Sequence, residues 1–442
     1  MRHLVSFFLL CLCVSSALAD SASLADQSSV LFPSLPGFEL HGDMTLIDQW
    51  HSGFNHRFAD GANSFSSSFE NSYSSVEGLV GAYDFGQGTK IISRIEMIRG
   101  IPLSGAGGLA ALTNNDVQRV MYNRFQTYVA LAYISHTIDF GGTDNNKAPV
   151  DDPNLEQRPA NQMDRLNIIL GKVDVLSMFD PNTYAHKGDN QFLNWCFMTS
   201  CAYDYAADAR GYTYGLASQL DWGDYSLRAG YFAMPILPNQ LAIDTSMGHH
   251  FGANLELERR WQSGALRFLA YQGRMDLTNY ANYLNQTGVF VQQSPKYNAK
   301  RGGVGLNVEQ ALYKNVGFFA RAFRDSGTYE SMAFTEADAS LSAGFSFDGE
   351  AWSREGDNVG VGYIQNHINS VRQQFLAAGN YDLFIGDGNL LYAPEEVLET
   401  YYRYRIKKGI ELTADWQYIQ NPAYNQYRGP VNVYAFRLHV EF

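Results

Sequence analysis

The chain has 442 residues, with 45 acidic side chains against 32 Lys and Arg and a formal net charge of −13. That balance argues against nucleic acid as a partner, because neutralising phosphates takes Lys and Arg. Beyond the first 19 residues nothing approaches about 18 consecutive apolar residues, so no membrane-spanning helix is expected.

The N-terminus reads as a secretory signal. Arg2 and His3 precede an apolar run from Leu4 to Val14, and Ala17-Leu18-Ala19 offers a small-residue cleavage site before Asp20. Residues 1–19 are therefore expected to be removed, leaving 20–37 as an N-terminal periplasmic segment. Cys11 and Cys13 leave with the signal. Cys196 and Cys201 remain, five residues apart in an oxidising compartment, and are expected to close a short disulfide loop. Two cysteines without a CxxC are too few for a cysteine-rich zinc site.

Period-two alternation then recurs along the chain. Leu255 and Leu257 alternate with Asn254, Glu256 and Glu258; Leu412, Ala414 and Trp416 alternate with Glu411, Thr413 and Asp415. The predicted strands are 38–50, 72–85, 90–99, 125–138, 164–176, 208–222, 225–234, 249–261, 264–274, 301–313, 316–325, 338–348, 357–367, 396–406, 409–419 and 431–442. Most are about ten residues long, enough to cross a bilayer at a tilt. The last strand carries Tyr434, Phe436, Leu438, Val440 and Phe442 on one face and Arg437, His439 and Glu441 on the other. High counts of Gly (40), Tyr (28) and Phe (28) beside 13 Pro suit such strands.

The connections carry an independent asymmetry. Those after even-numbered strands are short, such as Gly223-Asp224, Gln262-Ser263 and Lys314-Asn315; those after odd-numbered strands are long. The stretch 139–163 breaks the rule by being long. Trp222 and Trp261 flank short turns, where an interfacial aromatic belt needs them. The expected fold is all-β: a transmembrane antiparallel β-barrel of about 16 strands over residues 38–442, with long extracellular loops. A soluble sandwich would also alternate, but usually with shorter strands and without aromatic ends.

Sixteen strands enclose a lumen that wall side chains cannot fill. No block of about 100 residues precedes the first strand, so no plug domain is expected. Long outer loops can fold inward and narrow the channel instead, and 177–207 is the leading candidate. It holds both cysteines, Phe179, Tyr184, Phe192, Trp195, Tyr203 and Tyr205. Strand parity turns Arg94, Glu96, Arg228, Glu256, Glu258, Glu399, Arg403, Asp415 and Arg437 inward. Of these, Arg94, Glu96, Arg228, Glu256, Glu399, Arg403 and Arg437, together with Trp195 in the loop, are the candidate solute contacts. Mixed charges of both signs suit a neutral, polyhydroxylated solute; they equally suit pairing with one another. No GxSxG occurs and no nucleophile–His set stands out, so no catalytic residue, cofactor or metal is expected.

The ordered motifs Gly171-Lys172-Val173-Asp174, Phe179-Asp180-Pro181-Asn182-Thr183-Tyr184-Ala185-His186 and Gln191-Phe192-Leu193-Asn194-Trp195 carry a resemblance. Asp208-Ala209-Arg210-Gly211-Tyr212, Gly305-Leu306-Asn307-Val308-Glu309-Gln310, Trp352-Ser353-Arg354-Glu355-Gly356-Asp357 and Asn421-Pro422-Ala423-Tyr424-Asn425 continue it. Over nearly the whole mature sequence the chain resembles the carbohydrate-selective porins of the OprB type. The resemblance implies a monomeric sixteen-stranded barrel in a Gram-negative outer membrane, passing glucose and other sugars passively. It implies arginines at a constriction, and contact with outer-membrane lipid and the barrel-assembly machinery. The chain departs from the family in three places: Arg372 stands where a His is usual, Gly379-Asn380 replaces a Gly-Gly pair, and the Cys196/Cys201 positions are not normally cysteines. A polysaccharide-export barrel would share the fold and is the alternative.

Overall fold

The structure, a computed structural model, describes residues 36–119, 121–141 and 164–442. Sixteen strands form one closed antiparallel barrel in which each strand pairs with its sequence neighbours and the first pairs with the last. In chain order they are β1 (Phe38–His51), β2 (Glu70–Gly86), β3 (Thr89–Ile101), β4 (Gln126–Gly141), β5 (Asp164–Asp174), β6 (Tyr212–Trp222), β7 (Tyr225–Phe232) and β8 (Phe251–Trp261). There follow β9 (Gly264–Leu277), β10 (Tyr297–Tyr313), β11 (Val316–Asp325), β12 (Ala339–Asp348), β13 (Asn358–His367), β14 (Glu395–Lys407), β15 (Ile410–Gln420) and β16 (Val431–Glu441). The expected signal, all but the last two residues of the segment 20–37, and most of the long connection after β4 lie outside the described residues.

Alternation explains the wall. On β8 and β9 Leu255, Leu257, Leu266 and Phe268 are exposed on the outside, while Asn254, Glu256, Glu258 and Arg267 between them are buried inside. The strand expected from 208 starts instead at Tyr212, because Asp208 Oδ1 accepts bonds from Arg210 N (2.9 Å) and Tyr212 N (3.1 Å) and curls the chain there. The strand expected from 301 begins earlier, at Tyr297, paired with Leu277.

The short connections are tight turns. Between β2 and β3 both turn residues are left-handed, Gln87 at φ 54° and Gly88 at φ 80°, the twist that matches a two-residue hairpin. Trp222 and Trp261 are partly exposed at this rim. The barrel closes where β1 meets β16, from Asp43 opposite Glu441 to His51 opposite Val433. Gly42 and Phe442 exchange backbone hydrogen bonds of 2.8 and 2.9 Å. Any Cβ at Gly42 would lie 2.5 Å from Phe442 Cζ, so only glycine lets that ring close over the seam.

Candidate solute pathway

The connection 175–211, between β5 and β6, folds into the lumen. Phe179, Phe192, Trp195, Phe197, Tyr203 and Tyr205 are all buried in it. It turns first at Asp180, whose φ of 59° reverses the chain. Asp180 N donates to Glu256 Oε2 at 2.8 Å, and its carboxylate pairs with Arg321 Nε at 2.9 Å. Thr183 N donates to Glu309 Oε2 at 2.7 Å. Further along, Glu399 accepts from Leu193 N (2.5 Å) and Asn194 N (3.0 Å). Arg437 Nη1 donates to Gly188 O at 2.8 Å and Arg403 Nη1 reaches Asn190 O at 3.4 Å. Asn194 caps a single helical turn, Trp195–Met198, by accepting from Cys196 N at 3.1 Å. The Cys196–Cys201 disulfide closes the short loop behind it. Glycines make room on the wall: a Cβ at Gly362 would meet Phe197 Cζ at 2.6 Å.

Two more connections turn inward and meet this one. In 102–125, Asn115 N donates to Leu193 O (2.8 Å), and Leu112 O accepts from Trp195 N (3.0 Å). Gln49 Nε2 on β1 holds Thr113 O at 2.9 Å. In 326–338, Asp204 accepts from Met332 N (2.8 Å) and Ala333 N (3.0 Å). The Phe334 ring stacks on Trp195, with centroids 4.7 Å apart. Arg119 spans the junction, donating to Phe334 O and lying 3.6 Å from the Phe384 ring centre. Burial without a carboxylate partner pushes its guanidinium down to about 9, still cationic at neutral pH.

The candidate residues from strand parity separate into two groups. Arg228, Glu256, Glu399 and Arg437 are almost fully buried. Arg228 pairs with Glu256 (2.5 Å) and Glu258 (3.1 Å), and the rest bind the inward loop as described. Trp195 is buried at the crossing of the three segments and its Nε1 has no hydrogen-bond partner. Arg403 faces Glu411 at 3.5 Å near the opposite rim. Arg94 and Glu96 stand apart. Arg94 pairs with Asp43 (2.6 Å) and Glu96 (2.7 Å), and Glu96 also accepts from Tyr128 (2.5 Å) and Tyr212 (2.7 Å) hydroxyls. Arg94 and Asp43 keep 20% and 22% of their side chains exposed.

Two loop carboxylates that carry no periodic signal complete this open region. Asp116, from 102–125, has an Oδ2 shut off from solvent without a donor, although the residue as a whole is only half-buried. Burial, reinforced by Glu96, Asp189 and Asp43, pushes its carboxyl up to about 7. Asp189, on the inward loop, stands 4.0 Å from His439 Nε2 on β16. Arg372, at the position where the resembled family usually has His, is wholly buried and pairs with Glu336, Asp338 and Asp382, fastening 368–394 to 326–338.

A closed sixteen-stranded barrel with inward loops is the architecture of an outer-membrane porin. The family model for carbohydrate-selective porins of the OprB family matches residues 93–442. The chain belongs to that family and is an outer-membrane carbohydrate porin. Among solved structures it is similar to the high-pH structure of Pseudomonas putida OprB, at 13% identity, covering 92% of this chain and 94% of that one, with a TM-score of 0.68. It is also similar to the outer-membrane channel DcaP of Acinetobacter baumannii, at 10% identity, 93% and 99% coverage and a TM-score of 0.52. No curated protein matches the sequence.

Proposed function

We propose that sugars cross on the β1–β3 side of the lumen, past Arg94, Asp43, Asp116 and Asp189. One observation carries this reading. Glu256, Glu309, Arg321, Glu399 and Arg437, on β8 to β16, are buried in holding the loop, whereas Arg94 and Asp43 stay about a fifth open. A guanidinium beside carboxylates offers donors and acceptors together, which suits hydroxyls. Glu96 would act as a positioning residue that holds Arg94. Arg228, Glu256, Glu399, Arg403 and Arg437 would shape the passage by fixing the loop, and Trp195 would set its floor.

The protein works in this reading as a monomeric conduit for neutral sugars with no chemical step. Phe442, at the seam, would be read by the barrel-assembly machinery. Conductance of the pure protein in planar bilayers tests the pathway. Glucose and malto-oligosaccharides reduce the current through the native channel, and Arg94→Ala weakens that block severalfold. Unchanged block in Arg94→Ala would remove this pathway.

A further inference from the structure

We propose that the connection 233–250, between β7 and β8, holds a divalent transition-metal ion of the zinc class at Asp244, His249 and His250. One donor atom from each lies within 4.8 Å of the other two. His250 is 4% exposed. Its Nδ1 is 3.0 Å from Asp244 Oδ2 and its Nε2 3.6 Å from Asp276 Oδ1, yet neither contact has hydrogen-bond geometry. A buried imidazole facing carboxylates at both nitrogens without bonding either is costly. A cation between ring and carboxylate would remove that cost.

The ligands are held before any ion arrives. Asp244 N donates to Met234 O (2.8 Å) and Ile236 N to Ala242 O (2.8 Å), so Asp244 ends a small hairpin. Ser246 N donates to Asp244 Oδ1 at 2.8 Å, leaving Oδ2 toward His250. His249 N bonds Ser246 O at 2.9 Å, and the two imidazole centres are 4.3 Å apart. His249 is exposed and gives the ion an entry path. Asn298 Nδ2 lies 3.3 Å from His249 Nε2, and its Oδ1 is already taken by Arg274 Nε at 2.5 Å. The amide therefore holds the Nε2 lone pair of His249, and an ion binding at that nitrogen takes the amide's place.

Two imidazoles and one carboxylate suit zinc, nickel or copper better than calcium or magnesium, which prefer all-oxygen sets. A water would take the fourth position. The loop also touches the inward segments, with Asn239 N on Met332 O (2.9 Å) and Ala209 N on Gln240 O (3.2 Å). A bound ion would stiffen the extracellular rim where it meets the inward segments 175–211 and 326–338.

Calorimetric titration of tag-free protein in detergent with Zn²⁺ tests the site. One equivalent binds, unaffected by millimolar Mg²⁺. His250→Ala and Asp244→Asn each weaken binding by at least about tenfold, while His136→Ala, at an exposed position on β4, leaves it unchanged. No saturable binding, or equal binding by a His249→Ala/His250→Ala variant, would overturn the proposal. Should the variants not fold, diethylpyrocarbonate labelling of native protein decides. Zn²⁺ protects the exposed His249, and equal labelling of His249 with and without Zn²⁺ refutes the site.

Discussion

Asp180 and Arg321 form an ion pair that tethers the inward loop to β11, with both side chains sealed from solvent. Arg321 also donates to Phe197 O (2.8 Å) and Ala185 O (2.7 Å), so one wall residue holds three points of the loop. Arg321→Ala leaves the buried Asp180 charge without its counter-charge, with only hydrogen bonds from Asn307, Thr199 and Ser200, a loss of about 3–5 kcal/mol. The cost falls on the loop, because the wall ladder of β11 is untouched. Protease added to native outer membranes will cut within 177–207 in the variant and not in the parent. Asp180→Asn combined with Arg321→Met will regain part of the resistance. Equal cutting of parent and Arg321→Ala would show that the pair does not hold the loop.

Glu399 accepts bonds from two successive backbone amides, each worth about 0.5–1.5 kcal/mol. Glu399→Ala orphans Leu193 N and Asn194 N in a buried place. Open-channel current noise will rise, and Glu399→Gln, which keeps one acceptor, will lie between. Noise identical in all three would separate this contact from pore geometry.

The Asp116 carboxyl, at about 7 against an ordinary 3.8, binds its proton more tightly in the folded chain than in the unfolded one. Its contribution therefore favours the fold fully below about pH 4 and is lost as pH rises through about 7. In the channel the same proton leaves a negative charge behind. Cation preference, measured as reversal potential across a KCl gradient, will grow between about pH 6 and about pH 8. Asp116→Asn will abolish that step; a step that survives assigns it to another group.

Cys196 and Cys201 are buried, with Cα atoms 4.7 Å apart. Closing so short a loop contributes about 2 kcal/mol in the chain-entropy account. Cys196→Ser/Cys201→Ser will still form a barrel, with earlier thermal loss of sugar block. Reductant without denaturant will expose no labelling thiols in the native protein. Rapid labelling would show that the loop opens freely.

Much of this architecture was legible because a strand wall writes itself with period two. Leu255 and Leu257 against Glu256 and Glu258 announce the two faces of β8 directly. Turn residues such as Gln87-Gly88 mark the short rim in the same way. Parity does not say what an inward side chain meets. Parity makes Arg228, Glu256, Glu399 and Arg437 candidate solute contacts and equally partners for one another; the structure sets them against one another and the loop. That outcome depends on contacts such as Leu193 to Glu399, 206 positions apart, which no local pattern encodes. Asp116 and Asp189 were invisible for the same reason, since carboxylates in aperiodic loops look alike until the loops dock. The His249-His250 pair was visible as a pair, but only the hairpin of 233–250 brings Asp244 beside it.

Thr45 and His439 touch across the β1–β16 seam although 394 positions separate them. Every other strand pairing joins sequence neighbours. Adding hairpins one after another lengthens a ribbon cheaply, but the entropy of bringing its ends together falls on this single joint. Until that joint forms, each intermediate carries two raw edges with unmet N–H and C=O groups, ready to recruit a foreign strand. The ring thus concentrates its kinetic risk at one place, and mutations at Gly42 or Phe442 should slow biogenesis far more than they weaken the finished barrel.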